Sequence, residues 1–331
     1  MQLVYAKLYR MRSRLPTILI ILFLFTFRVG SALNTAFQNN IDSGKAHIPT
    51  IRSATNLVLV PVSVTDSAGR PVKNLRLEDF VVLDNGRSVM LQNLGEPELT
   101  RLEIILLFDI TSSVWFHFDI VRESAAGFVK SIFRPGDAVS VVGISSPPEI
   151  LLERTESLAV ALDGLSRLRR GAATAFFDAV VKAARLFPDH PDPETRHILV
   201  VLSDGEDNLS TNTLESALEE LQKADCLFYS INPGASPDRL NKVSRRGQQR
   251  MDTLAEQTGG KAFLAGSFKD LSGIYDLIVK ELQVQYLLSY YSPAPAADDV
   301  LRTISVTLPD RPELRVRARK SYYPSSETSR Y

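Results

Sequence analysis

Asp109, Thr111 and Ser113 stand at alternate positions directly after an apolar run at 104–108. A continuous apolar run reads as a strand buried on both faces. In open parallel sheets, ligands sit beyond the carboxyl ends of the strands. The spacing therefore sets one carboxylate and two hydroxyls at a ligand position. Oxygen-only donors suit a hard cation such as Mg²⁺. A strand followed by a polar turn is the plainer reading of the same residues, and this stretch alone does not choose between the two. A second apolar run, 198–202, ends in Ser203-Asp204-Gly205-Glu206-Asp207. Between the two runs lies Gly171-Ala172-Ala173-Thr174, a small-residue turn whose Thr opens a helical pattern. Taken singly, hydroxyls at such places serve as turn formers or helix caps.

The elements that must hold these residues can be read from periodicity. Helices are predicted over 119–133, 158–168, 174–187, 214–224, 251–257 and 268–282. Strands are predicted at 138–144, 149–152 (an edge), 198–202, 226–231 and 262–264. Pro135-Gly136 and Gly259-Gly260 punctuate two of the helices. Strands alternating with helices predict an α/β fold over 101–284, a doubly wound, mostly parallel, Rossmann-like sheet. Residues 52–98 read as a small β module. Val58, Val60, Val62 and Val64 alternate there, and Asn85-Gly86 between apolar runs signals a hairpin. After the α/β segment, 286–291 reads as a strand, Ile304, Val306 and Leu308 alternate, and so do Leu314, Val316 and Ala318. An isolated hairpin is rarely stable. The strands of 285–323 are therefore expected to join 52–98 in one β-sandwich-like domain, discontinuous in sequence, with 324–331 as a tail. Arg315, Arg317 and Arg319 form a basic stripe read as solvated, with contact to an acidic or membrane surface as the alternative.

At 331 residues and 44% hydrophobic, the chain can build a large core. A net charge of +0 argues against general nucleic-acid binding. Lys7, Arg10, Arg12 and Arg14 precede an apolar stretch at 17–27 and the small residues Gly30-Ser31-Ala32. That is the pattern of a signal peptide over 1–32, and Arg28 keeps an uncleaved membrane anchor open. Residues 33–51 are polar and aperiodic, as in a linker. Export would place the protein in a periplasm, on a cell surface or in the medium, with membrane contact only if the leader is retained. Cys226 is the single cysteine, so no internal disulfide can form. The four His residues lack zinc spacing, and no Gly-rich phosphate loop is present.

Together, Asp109-x-Thr111-x-Ser113, Thr174 and Ser203-Asp204-Gly205 resemble the metal-ion-dependent adhesion site of the von Willebrand factor type A (vWA) fold. The family pattern is Asp-x-Ser-x-Ser, a Thr and a Ser-Asp-Gly; Thr111 departs from it but keeps the hydroxyl. The chain is most similar to the vWFA-related domain proteins of Acidobacteria. That similarity extends over most of the chain beyond the leader, including Val64-Thr65-Asp66-x-x-Gly69, Leu77-Glu78-Asp79-Phe80, Thr258-Gly259-Gly260 and Tyr322-Tyr323-Pro324. The resemblance implies that Asp109, Thr111, Ser113, Thr174 and Asp204 hold Mg²⁺, or another divalent cation such as Mn²⁺ or Ca²⁺, directly or through water. It implies a protein partner whose Asp or Glu carboxylate completes the coordination. Glu206 and Asp207 are expected in a solvated loop, and Asp178 at a helix dipole. Trp115-Phe116-His117-Phe118 is either a partner contact or the buried start of a helix.

Two other functions compete with a non-enzymatic adhesion module. Strand-then-Asp also resembles the nucleophile strand of haloacid-dehalogenase-type, Mg²⁺-dependent phosphatases. Those enzymes use Asp-x-Asp, and position 111 here is Thr. A structural scaffold with a vestigial metal site is the third reading.

Overall fold

The structure, a computed structural model, describes residues 57–109, 117–168, 174–188, 194–233, 240–293 and 300–324. The leader and linker segments, Thr111, Ser113, Trp115 and Phe116 lie outside the described residues. All described residues fall within one compact unit. None of their helices is long and apolar enough to cross a membrane.

Strand β5 (Arg101–Asp109) is the middle of the architecture. Ile104, Leu106 and Phe108 enter one apolar cluster, and Ile105 and Leu107 enter another on the opposite face. Burying each such side chain stabilises by about 1.5–3 kcal/mol, so a run with no polar residue favours a position covered on both sides. β5 pairs in parallel with β6 (Ala138–Ile144) and β8 (Thr195–Leu202). β9 (Cys226–Pro233) and β10 (Ala262–Ala265) continue beyond β8, also parallel. β7 (Glu149–Thr155) closes the other edge antiparallel to β6, giving the order β10-β9-β8-β5-β6-β7. Helices α1 (Phe118–Ile132), α2 (Leu158–Ser166) and α6 (Leu271–Val284) cover the Ile104 face. Helices α3 (Phe176–Ala184), α4 (Leu214–Lys223) and α5 (Lys242–Thr258) cover the other.

The flanking segments form two four-stranded sheets. One joins β1 (Leu57–Thr65), β4 (Leu91–Gly95), β11 (Tyr286–Tyr291) and β13 (Arg315–Arg317). The other joins β2 (Val81–Asp84), β3 (Arg87–Ser88), β12 (Arg302–Thr307) and β14 (Ser321–Tyr322). Val58, Val60 and Val62 of β1 meet Val82, Leu288 and Ile304 in a third core between them. The fold class is thus the doubly wound α/β sheet with an attached sandwich of flanking strands. The junction is held by buried Arg196, which donates to the carbonyls of Leu282 (2.9 Å) and Pro97 (3.1 Å), to Thr100 Oγ1 (3.0 Å) and to Gln285 Oε1 (3.1 Å). Burial lowers its pKa to about 10.

Two expectations need correction. The helix expected over 251–257 begins at Lys242. Asn241 Oδ1 caps it by accepting from the backbone N–H of Val243 (2.8 Å) and Ser244 (3.0 Å). Its buried residues there are Gly247 and Gln248, so no apolar period marks the segment. Two of the three arginines in the stripe are not solvated either, and only Arg315 is exposed. Arg317 pairs with Glu281 at 2.6 Å and donates to the carbonyls of Gly259 (2.8 Å) and Gly260. Arg319 is buried, pairs with Asp225 and donates to Leu59 O at 2.7 Å. Alternation along β13 is real, but its second face meets the α/β segment instead of water.

Gly259 takes φ +82° to end α5. A side chain at Gly260 has no room, since a Cβ would lie 1.9 Å from Phe228 O. Gly127, exposed within α1, has nothing within 4 Å of a built Cβ. Gly260→Ala is therefore expected to lose about 2–3 kcal/mol or more in urea unfolding, while Gly127→Ala gains about 0.5–1 kcal/mol. Equal effects of the two substitutions would contradict this packing.

Candidate metal centre

Asp109 ends β5 and is 3% exposed. Ser203, the first residue past β8, donates from Oγ to Asp109 Oδ2 at 3.1 Å and accepts from Gly205 N at 3.1 Å. Asp204 Oδ1 accepts from Glu206 N at 3.0 Å. Thr174 is buried two residues before α3, and its carbonyl accepts from Asn208 N (3.2 Å) and Leu209 N (3.3 Å). Asp109 is thus tied to Ser203, the neighbour of Asp204, and Thr174 is tied to the same loop at Asn208 and Leu209, so segments up to 95 residues apart in sequence (204 − 109) are bonded to one another past the end of β8. Thr111 and Ser113 lie outside the described residues.

The loop after β8 is fastened to α3 at two further points. The N-cap residue of α3 is Ala175, which has no capping side chain. Asp207 supplies the function from the neighbouring loop, accepting from Phe176 N (2.8 Å) and Ser210 Oγ (2.5 Å). Asp178 accepts from the backbone N–H of Thr211 (3.1 Å) and Asn212 (2.8 Å), and from Asn212 Nδ2 (2.7 Å). Burial works against the charged Asp178, but these hydrogen bonds outweigh it and hold its carboxyl below the usual range. Asp207 is therefore not the solvated residue expected from sequence, and Asp178 does more than complement a dipole.

A backbone contact fixes the loop from the other side. Gly205 has φ +72°, and a Cβ on it would lie 2.5 Å from Gly247 O. A Cβ on Gly247 would lie 2.3 Å from Asp204 O. Glycine in a helix interior lowers helix stability, and here it admits α5 onto the Asp204-Gly205 peptide. Neither Ser203 nor Gly247 was singled out as a site residue by sequence reading. Ser203 lay within the motif, whereas Gly247 carried no signal. Of the aromatic run, His117 stacks on Phe268 with ring centroids 4.1 Å apart, and Phe118 packs partly buried against the core.

Charge at the site is one-signed. Burial raises the Glu206 pKa, and the negative charges of Asp204 and then Asp109 raise it further. Neither Asp204 nor Glu206 forms an ion pair among the described residues. No group of three or more His, Cys, Asp or Glu side chains is close enough to hold a metal alone among the described residues. The donors present, carboxylates with hydroxyl and carbonyl oxygens beside them, have the chemistry of a hard-cation site, so they fit a divalent ion.

Residues 104–206 match the family model of the von Willebrand factor type A domain. No curated protein matches the chain. Among solved structures, similarity extends to proximal thread matrix protein 1 of the mussel byssus with a zinc-occupied MIDAS motif, at 19% identity and TM-score 0.47, covering 63% of this chain and 49% of that one. The PilB minor pilin of Streptococcus sanguinis aligns at 13% identity and TM-score 0.44, covering 56% and 62%. BatB of Bacteroides thetaiotaomicron aligns at 17% and TM-score 0.41, covering 54% and 98%. The chain spans about half the length of the mussel protein.

Removing the Asp178 clamp should loosen the site loop. Asp178→Ala is expected to lose about 1–2 kcal/mol at neutral pH. The folded-state pKa of Asp178 is depressed, so its contribution is present above the unfolded carboxylate pKa and is lost as pH falls through the folded value. The stability gap between wild type and variant, followed by urea unfolding, should narrow below about pH 4. A gap that stays constant down to strong acid would refute a charge-assisted role.

Proposed function

We propose, on the premise that residues 104–206 are a von Willebrand factor type A domain, that the chain is an exported protein-binding module whose divalent cation captures a partner's carboxylate. The observation that supports this reading is the loop after β8, which Ser203 bonds to Asp109 and Asn208 and Leu209 bond to Thr174, with no ion pair to Asp204 or Glu206 among the described residues. Asp109, Asp204 and Thr174, with Thr111 and Ser113 from the segment after β5, would hold the ion, Mg²⁺ or a relative such as Mn²⁺ or Ca²⁺. When bound, the ion supplies a positive centre for an outside Asp or Glu. Ser203 orients Asp109, and Gly205 against Gly247 keeps Asp204 in place.

The reading is of binding and not of catalysis. Thr at position 111 supplies no second carboxylate to act as acid or base, which phosphoryl transfer by the Asp-x-Asp pattern would need. Export rests on the sequence of residues 1–32.

A ligand that binds only the folded state raises stability, by about 2.7 kcal/mol at one hundred times its Kd. Millimolar Mg²⁺ should therefore raise the Tm of the wild type by several degrees, reversibly with chelator, and leave Asp109→Ala and Asp204→Ala unmoved. A pull-down with and without chelator should show capture only with metal. An unchanged wild-type Tm across Mg²⁺, Mn²⁺ and Ca²⁺ would leave the scaffold reading in its place.

A further inference from the structure

We infer that the amino-terminal half of α5 is a docking surface for an acidic protein segment, the same partner whose carboxylate the cation site takes; this rests on the proposed function. Lys242, Arg245 and Arg246 are exposed on that half-helix and Arg250 is half-buried, while the first acidic residue of the helix is Asp252. The chain as a whole has net charge +0, so this concentration is not background. None of the four cations pairs with a carboxylate among the described residues. Among the described residues, Arg245 reaches only the carbonyl of Leu240, at 3.3 Å.

The arrangement is unfavourable for the helix itself. Cations at a helix amino terminus oppose its dipole, and the first turn holds no acidic residue to offset them. Lys242 also faces Arg245 and Arg246 at i+3 and i+4, and Arg246 faces Arg250, all like-charged. An external polyanion would relieve both repulsions.

The half-helix borders the cation site directly. Gly247, next to Arg246, is the residue that rests on Asp204 and Gly205. The Arg250 guanidinium lies 5.3 Å from the ring centroid of Phe177, in the first turn of the helix that Thr174 precedes. Val243, on the same half-helix, and Leu209, in the loop bonded to Thr174, are each more than half exposed and offer apolar side contacts. A segment with several Asp or Glu residues can place one carboxylate on the cation and its neighbours on α5. A continuous phosphate backbone fits less well, because the basic patch is confined to one half-helix of a chain with net charge +0 and lacks the extended basic excess that such binding needs.

The test is fluorescence anisotropy with a labelled Asp/Glu-rich peptide, its Asn/Gln counterpart and a labelled single-stranded oligonucleotide. They are titrated with wild type, Asp204→Ala and the triple variant Lys242→Glu/Arg245→Glu/Arg246→Glu, with Mg²⁺ and with chelator. The acidic peptide should bind wild type in Mg²⁺, the amide peptide should not, and the triple variant should weaken binding by about tenfold or more. The triple variant should keep the Mg²⁺-dependent rise in Tm, since none of its positions is a proposed ligand. Binding of the acidic peptide equal in the triple variant and wild type, its absence in both, or tighter binding of the oligonucleotide would each overturn the inference. If the triple variant weakens binding but chelator and Asp204→Ala do not, the α5 surface stands and the cation reading falls.

Discussion

The contact on which most of the site depends is between two glycines. Gly205 and Gly247 bring two backbones together with no side chain between them. Through it the loop that carries Asp204 is pressed onto α5. The far end of the same helix closes at Gly259-Gly260, which abuts Phe228 of β9 and Arg319 between β13 and β14. α5 is thus a strut with a bare-backbone joint at each end. One joint bears on the site and the other on the strand segment that returns to the sandwich. Neither tolerates a methyl group, so the spacing between them is fixed by the helix's length.

Two acidic environments in one chain, one buried and one half-buried, show how charge is managed for different ends. Asp84, 1% exposed in the sandwich, accepts from the hydroxyls of Tyr322 (2.7 Å), Tyr290 (3.2 Å) and Ser292 (3.2 Å), with Arg302 at 3.4 Å. Its charge is answered within the chain, as structural burial requires. At the end of β5 and β8, Asp204 and Glu206 have no ion pair among the described residues, and burial and then the charges of Asp204 and Asp109 raise the Glu206 pKa. Leaving acids of one sign together is destabilising unless something else arrives. The cations of the neighbouring half-helix stand outside that group and do not neutralise it.

Much of this was legible in sequence. The 104–108 run within β5 has no polar residue, which pointed to a central strand. The carboxylates after β5 and β8 followed from where those runs stopped. The helix over 242–250 was not legible, because it buries Gly247 and Gln248 and has no apolar stripe. The fates of Arg317 and Arg319 were hidden for a related reason. Alternation shows that a strand has two faces, but not what covers the second one. Asp207 and Asp178 looked like loop and dipole residues, since a cap donated across chain segments leaves no local spacing to detect.

The pairing of β1 with β11 also dictates an order of assembly. Ser63 and Gln285, bonded to each other, are 222 residues apart. Closing so long a loop before anything rewards it is slow. The α/β segment, built from neighbours in sequence, brings its own two ends together at Arg196 and so delivers the strands to one another. The first strand of the sandwich to be synthesised is therefore the one that waits longest for its partner. During that wait Val58, Val60, Val62 and Val64 form an unpaired apolar edge, the kind of surface on which chains aggregate.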